Sequence, residues 1–379
     1  MNFSFTPEQQ ELRDTARAFL AAACKPDAVR TAMESPLGYD EKLWSQLAGE
    51  LGWTAVVIPE RCGGLGLSWV ELVALQEVIG ETLAPSPFFA SVCLAANAIL
   101  AAGDSQQQRA LLPGIAEGRT RATLAFARES GRSEADAITA TCERSGDGYV
   151  LRGELSHVVD GASADLIVVA ARRPGSRGEA GVSLFAIPAE AAGLARTPLP
   201  TLDQTRRLAA LRLEDVRVPA STRLGAEGGA WPALELALQR AAVALAAEQL
   251  GGAQRSLDLA VAYAKQRVQF GRPIGSFQAL KHALADVMVA VEAARSAVYY
   301  AGCVAAQGDA ALPAAASMAK ATASEAFSAA AASSLQVHGG VGFTWEYDVH
   351  LYFKRARSSA SLLGDASWHR ELVARAIGL

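Results

Sequence analysis

Two short segments of this chain carry residues that could hold an anionic group. Residues 267–271 read Arg-Val-Gln-Phe-Gly, and residues 336–343 read Gln-Val-His-Gly-Gly-Val-Gly-Phe. An arginine guanidinium forks onto phosphate oxygens, and adjacent glycines let backbone N–H groups approach an anion. Each segment alone has a plainer explanation, because Arg267 could pair with carbonyls at a helix end and Gly339-Gly340 could form a tight turn. The residue types by themselves leave both explanations open for each segment.

The composition is that of a globular protein with no surface for nucleic acid. The chain has 379 residues, of which 51% are apolar and 20% charged, and its formal net charge is −4. Few basic clusters and a negative net charge argue against nucleic-acid binding. The amphipathic start of the chain contains acids and lacks the basic and apolar regions of a signal peptide. Charged residues interrupt the alanine-rich runs, so we expect no membrane span.

Cysteine and histidine spacing gives no sign of a metal site. The five cysteines are scattered without a CxxC pair, and the five histidines show no HExxH or comparable spacing. We therefore expect no bound metal, no disulfide framework and a reducing, cytoplasmic location.

The periodicity of apolar residues divides the chain into three parts. Residues 1–118 show helical spacing, and residues 226–379 return to long alanine- and leucine-rich helices that predict a C-terminal four-helix bundle. Between them, residues 119–225 alternate in short β-branched runs without intervening helices, which predicts an antiparallel β-barrel. The predicted fold class is mainly α with a central β-barrel.

This order of domains, together with four motifs, resembles the acyl-CoA dehydrogenase family along the full length of the chain. The motifs are RVQFGRPIG at 267–275, QVHGGVG at 336–342, LGWTAVVIPERCGGLGLS at 51–68 and LRLEDVRVPASTRLG at 211–225. The resemblance implies removal of an α-proton and a β-hydride from an acyl-CoA substrate, with FAD as hydride acceptor. It also implies an electron-transfer flavoprotein or similar acceptor, and a homo- or hetero-tetramer built with a related chain.

The resemblance further implies residues that contact the FAD of a neighbouring subunit. Arg267 would meet the pyrophosphate, because a guanidinium pairs well with phosphate oxygens. Five further residues would lie beside Arg267 or near the adenosine part of the cofactor: Gln269, Phe270, Gln336, Gly339 and Gly340.

The family's contacts to the flavin ring within the same subunit are altered in this chain. The family typically has a run ending Thr-Glu-Pro and then Gly-Ser-Asp. Here Arg128 replaces the threonine, and Gly-Ser-Asp is not recognisable at 129–133. On a later strand, His157 stands where the family has tryptophan, and Val159 where it has threonine. His157 could stack on a flavin, but a histidine satisfied within the barrel is the plainer interpretation.

The family's catalytic carboxylate is missing from both of its usual positions. The alignment places Leu363 at one position and Ala241 at the other. The nearest carboxylates are Asp365, two residues beyond the first position, and Glu248, two helical turns beyond the second. The plainer interpretations are a helix N-cap for Asp365 and a bundle ion pair for Glu248. The backbone N–H of Leu363 could still donate to a thioester oxygen.

Two functional hypotheses follow, because the base and the flavin-ring residues are lost while the residues that would contact a neighbour's FAD are retained. The chain could be an active enzyme that uses a displaced carboxylate, with Asp365 ahead of Glu248. Alternatively, it could be a non-catalytic partner that completes the FAD site of a related catalytic chain. Some family members that act on bulky acyl-CoAs, including steroid side chains, are built as such mixed tetramers. The lost base and altered flavin-ring contacts favour the partner hypothesis.

Overall fold

The computed structural model describes residues 5–128 and 134–379. Helices dominate its N-terminal part, and the first of them begins at a capping box in which Thr6 and Gln9 bond reciprocally, a local signal for a helix start. The α-helices of this part are α1 (Pro7–Ala23), α2 (Pro26–Glu34), α3 (Glu41–Ser45), α4 (Trp69–Thr82), α5 (Asn97–Ala102) and α6 (Ser105–Ala116). Two π-helical segments, Gln46–Glu50 and Phe89–Ala96, adjoin α3 and α5.

The central part consists of strands joined by turns and short 3₁₀ segments. The strands are β1 (Ala122–Ala125), β2 (Thr141–Ser145), β3 (Gly148–Val159), β4 (Leu166–Arg172), β5 (Val182–Pro188), β6 (Leu194–Pro198), β7 (Leu208–Pro219) and β8 (Arg223–Leu224). They pair in the order β6-β7-β3-β2-β4-β5-β8, with β1 beside β4.

The sheet is mixed rather than purely antiparallel. Strand β1 runs parallel to β4, with Ala122 opposite Leu166, and β2 meets β4 in parallel where Thr141 is opposite Arg172. The long β3–β7 pair and the β4–β5 pair are antiparallel, as the alternating pattern predicts. One face of the sheet buries aliphatic and aromatic side chains around Phe185 and Tyr149, whose rings meet edge to face.

The C-terminal part contains five helices rather than the four predicted from the sequence. They are α7 (Trp231–Gln266), α8 (Gln278–Gln307), α9 (Leu312–His338), α10 (Val349–Ser361) and α11 (Ala366–Ala376), and a two-stranded hairpin, β9 (Val268–Gln269) and β10 (Arg272–Pro273), follows α7. The additional helix is α10, which carries basic and aromatic residues and lacks the alanine-rich run that marks its neighbours. The predicted succession of helical, β and helical parts is confirmed.

Contacts group the chain into two compact units that each combine separate stretches of sequence. The helical unit takes the described residues of 1–34, 69–85 and 242–379, and the sheet unit takes those of 35–68 and 86–241. In the helical unit, α8, α10 and α11 pack on α9, and α4 packs on α1 and α8. Helices α4 and α7 approach so closely that a Cβ added at Gly251 would lie 1.8 Å from the Glu77 carbonyl oxygen.

Helix α8 is, by length and composition alone, apolar enough to cross a membrane. Of an apolar 18-residue stretch of α8, 44% is buried inside the protein. The helix packs along α9 and α4. The core helix of a folded domain meets the same criterion, so α8 is a buried core helix of this unit.

Candidate cofactor-binding site

The predicted anion-binding arginine lies at the base of an exposed hairpin in the helical unit. Arg267 directly follows α7, and β9 and β10 pair in antiparallel fashion after it. The two residues at the hairpin tip, Phe270 and Gly271, both have positive φ, at 53° and 75°. Such a turn joins strands with the right twist, but the left-handed conformation is unusual for phenylalanine.

The side chains of this hairpin face solvent. Phe270 is 91% exposed, and Arg267 and Gln269 are also exposed. Within the described part of the chain, no hydrogen bond or ion pair holds the Arg267 guanidinium. The alternative in which Arg267 caps the end of α7 through its side chain is therefore not what the structure shows. The guanidinium is available to an external anion.

The predicted glycine turn lies at the end of α9. Gly339 ends that helix with φ 63° and ψ −143°, a conformation that favours glycine. A Cβ added at Gly339 or Gly340 would meet no atom within 4 Å, so the backbone here is open to close approach by a ligand. Gln336, one turn earlier, is exposed.

A cluster of three rings brings the two motifs together. The His338 imidazole stacks on Tyr263 with centroids 4.2 Å apart, and Tyr347 meets both rings edge to face. The Nδ1 atom of His338 lies 2.7 Å from the Ser334 carbonyl oxygen, and burial lowers the pKa of His338. Tyr263 is one helical turn before Arg267, and His338 directly precedes Gly339. The sequence analysis did not predict this cluster, although His338 lies inside the QVHGGVG motif.

The sequence-predicted flavin-ring residue His157 belongs to the sheet unit. It lies in β3 at an irregularity between Leu155 and Val158, with φ 56°, and its side chain is exposed. Arg128 is also exposed and pairs with Glu154 at 3.4 Å. Residues 129–133, where the family has Gly-Ser-Asp, lie outside the described residues.

The turn between α10 and α11 carries the first of the two usual base positions. Leu363 there is buried and has φ 60°, and Gly364 follows with φ 102°. Asp365 is exposed and forms the N-cap of α11, where its Oδ1 accepts a hydrogen bond from Trp368 N at 2.8 Å. One oxygen of the carboxylate is thus engaged with an otherwise unpaired N–H group at the start of the helix.

Buried groups hold this turn from its inner side. The fully buried Lys320 ammonium donates to the carbonyl oxygens of Ser359 at 3.1 Å and Gly364 at 3.0 Å, and to Ser324 Oγ at 3.0 Å. The Leu363 carbonyl oxygen lies 2.9 Å from His369 Nε2. Burial, and then the charge of Lys320, lower the pKa of His369 to about 4. His369 is therefore neutral near pH 7 and donates from Nε2.

The second candidate carboxylate is buried in an ion pair. Glu248 Oε1 accepts from Arg355 Nη1 at 2.8 Å, and the two side chains are 3% and 5% exposed. The pair joins α7 to α10 inside the helical unit. Ala241, the family position nearest to it on α7, is fully buried and belongs to the sheet unit.

The structure describes no constellation suited to a metal. No group of three or more histidine, cysteine, aspartate or glutamate side chains that could hold an ion occurs among residues 5–128 and 134–379. In the same ranges, all five cysteines are free thiols.

Comparison with known proteins establishes the family. The model of the acyl-CoA dehydrogenase N-terminal domain matches residues 6–119, and that of the C-terminal domain matches residues 228–378. The chain belongs to the acyl-CoA dehydrogenase family and is an acyl-CoA dehydrogenase-like flavoprotein oxidoreductase. The family is FAD-dependent.

Three proteins are similar to this chain over nearly its whole length. Acyl-CoA dehydrogenase IpdE2 of Mycolicibacterium smegmatis is 38% identical over 358 residues, which is 94% of each protein. The structure of the ChsE4–ChsE5 complex from Mycobacterium tuberculosis matches with a TM-score of 0.90 and 29% identity, covering 100% of this chain and 99% of that one. The Tcur3481–Tcur3483 steroid ACAD matches with a TM-score of 0.87 and 34% identity, covering 98% and 97%.

Proposed function

We propose that this chain is a subunit of a complex that carries out FAD-dependent α,β-dehydrogenation of an acyl-CoA thioester. In that complex it is the non-catalytic partner, which completes the FAD site of a related chain. The observation that carries this proposal is the apolar Leu363 at the base position, followed by an aspartate that caps a helix.

The α-proton of a thioester is only weakly acidic, so a carboxylate with a suitable pKa must remove it. Leu363 and Ala241 cannot accept a proton. Asp365 is engaged at the N-terminus of α11, and Glu248 is held by Arg355 in the protein interior. Glu248 would have to leave Arg355 before it could act as a base. Asp365 is exposed and its Oδ1 is bonded to the start of α11, so neither carboxylate is placed for independent catalysis.

The residues that would serve a neighbour's cofactor fit FAD. The Arg267 guanidinium is exposed at the base of its hairpin and can fork onto pyrophosphate oxygens. The open backbone at Gly339 and Gly340 permits close approach of the adenosine part. When bound, FAD accepts the hydride that no side chain can accept. Gln269 and Phe270, exposed on the hairpin, would lie beside Arg267, and the exposed Gln336 would lie near the adenosine part.

The similar proteins support a mixed assembly. Two of the matching structures are named as pairs of proteins, ChsE4–ChsE5 and Tcur3481–Tcur3483. One of them is described as a steroid ACAD, which favours a bulky acyl-CoA as the substrate of the complex. An electron-transfer flavoprotein or a similar acceptor would reoxidise the cofactor. The location we propose is cytoplasmic.

The experiment is to express the chain alone and together with a related chain that carries the family glutamate. FAD stoichiometry is measured by absorbance, and acyl-CoA oxidation with an artificial electron acceptor. We expect little FAD and no turnover from the chain alone, but both from the pair. A matched pair containing Arg267→Gln should assemble and lose FAD. One FAD per chain with brisk turnover by the homo-oligomer would overturn the proposal.

A further inference from the structure

A separate cavity of about 450 Å³ lies within the helical unit. Its walls come from α1, the start of α2, the end of α4, the middle of α7 and the start of α10. A volume of this size is typical of sites for small organic molecules. Nothing in the function proposed above uses it.

The charged groups on the cavity wall are unequally neutralised. Glu81 is bound in bidentate fashion by Arg17, with distances of 2.8 and 2.7 Å. Asp348 pairs with Arg30. Two wall cations, Lys25 and Arg255, have no carboxylate within ion-pair distance in the described ranges, and only Asp258 opposes them. Its Oδ1 accepts a single hydrogen bond, from the Gln254 amide at 2.9 Å.

The wall carries three cations, Arg17, Lys25 and Arg255, and three carboxylates, so an anion is favoured only locally, beside the exposed Lys25 and Arg255 side chains. Lys25 and Pro26 lie at the start of α2, and a helix N-terminus presents unpaired N–H groups and a partial positive charge. The Tyr352 hydroxyl, which donates to the Glu81 carbonyl oxygen at 2.7 Å, lies beside Arg255. The rest of the wall is mainly aliphatic, from Ala21, Val29, Leu83, Leu259 and Leu351, and also includes the side chains of Cys24 and Thr82.

From this lining we infer that the cavity binds a small organic monoanion, in which one carboxylate- or sulfonate-like group is attached to an apolar body. The anionic group is held between Arg255, Lys25 and the start of α2. The apolar body packs against the leucine and valine side chains. This site is independent of the FAD-contact segments, so its test does not depend on the proposed function.

The test uses two dyes of similar shape on the purified full-length protein, in the assembly it forms. One is 8-anilinonaphthalene-1-sulfonate, which carries a sulfonate, and the other is N-phenyl-1-naphthylamine, which is uncharged. We expect the sulfonate dye to bind more tightly, and Arg255→Gln to weaken it about ten-fold by removing a charge-assisted contact. The uncharged dye should not respond to this substitution.

A second substitution separates recognition of the anion from loss of folding. Asp258→Asn removes the opposing carboxylate and should strengthen binding of the sulfonate dye by about three-fold while leaving the uncharged dye unchanged. Structural damage would instead expose apolar surface and increase the binding of both dyes. Ala21→Trp should fill the cavity and abolish binding of both dyes. Arg375→Gln, at an exposed arginine paired with Glu371, should change neither.

Two results would overturn the inference. Equal affinity for both dyes, with no effect of Arg255→Gln, would show a merely apolar groove. Undiminished binding to Ala21→Trp would show that the dyes bind elsewhere.

Discussion

The imidazole of His338 stacks on the phenol ring of Tyr263, with ring centroids 4.2 Å apart and an interplanar angle of 27°. This contact joins the ends of α7 and α9, and each of these ends leads directly into a segment that is predicted to contact FAD. The distance between the Arg267 hairpin and the Gly339 turn therefore depends on this ring pair, in which His338 is buried and Tyr263 is half-buried.

His338→Ala should lower FAD affinity in the assembled complex several-fold, because an aromatic pair contributes about 0.5–1.5 kcal/mol beyond its buried area. His338→Phe keeps a ring at this position and should retain most of the affinity. FAD content after gel filtration measures the effect, with the exposed His282→Ala as control. Equal losses in the alanine and phenylalanine variants would contradict a role for stacking.

Arg267→Ala should weaken FAD retention by about 1.5–3 kcal/mol, the range for loss of a hydrogen bond to a charged group. The measurement is FAD dissociation from the assembled complex by fluorescence, with Arg375→Ala as an exposed-arginine control. Unchanged affinity would refute the assignment of Arg267 to the pyrophosphate.

Glu248→Gln should destabilise the folded protein by about 3–5 kcal/mol, because it leaves the Arg355 charge buried without its carboxylate. The double substitution Glu248→Leu/Arg355→Leu should recover part of this loss. Urea unfolding gives the free energies, and turnover per bound FAD in the complex should stay unchanged. Normal stability with abolished turnover would instead identify Glu248 as the base.

Asp365→Ala should lower the free energy of unfolding by about 0.5–2 kcal/mol, because it removes the N-cap of α11. Asp365→Asn should lower it little, because asparagine also caps helices. Neither substitution should reduce turnover of the complex. Loss of turnover in Asp365→Asn, with FAD still bound, would show that this residue is the catalytic base.

The buried His369 should make stability fall as pH falls. Its pKa is lowered from 6.5 to about 4, so the unfolded chain binds the proton more readily between these two values. The resulting stabilisation of about 3 kcal/mol is complete above pH 6.5 and is lost as the pH falls toward 4. We expect His369→Gln, which can still donate to the Leu363 carbonyl, to show a flatter pH profile in urea unfolding. An unchanged profile would contradict this, and the exposed His282→Gln serves as control.

Local sequence signals predicted a large part of this structure. The change of apolar period gave the succession of helical, β and helical parts, because side-chain periodicity follows directly from backbone geometry. The capping role offered as the plainer interpretation of Asp365 is also what the structure shows, since an N-cap involves only the next three residues. Helix α10 was missed because its basic and aromatic run lacks the spacing by which the neighbouring helices were recognised.

By itself, the sequence determined the absence of a carboxylate at positions 241 and 363, and it supplied the arginine and glycine segments suited to a phosphate. Only the tertiary structure decided that Glu248 is held by Arg355, 107 residues away, and that His338 stacks on Tyr263. It also decided that β1 runs parallel to β4. These contacts depend on which faces of distant elements meet, and residue spacing within one element does not contain that information.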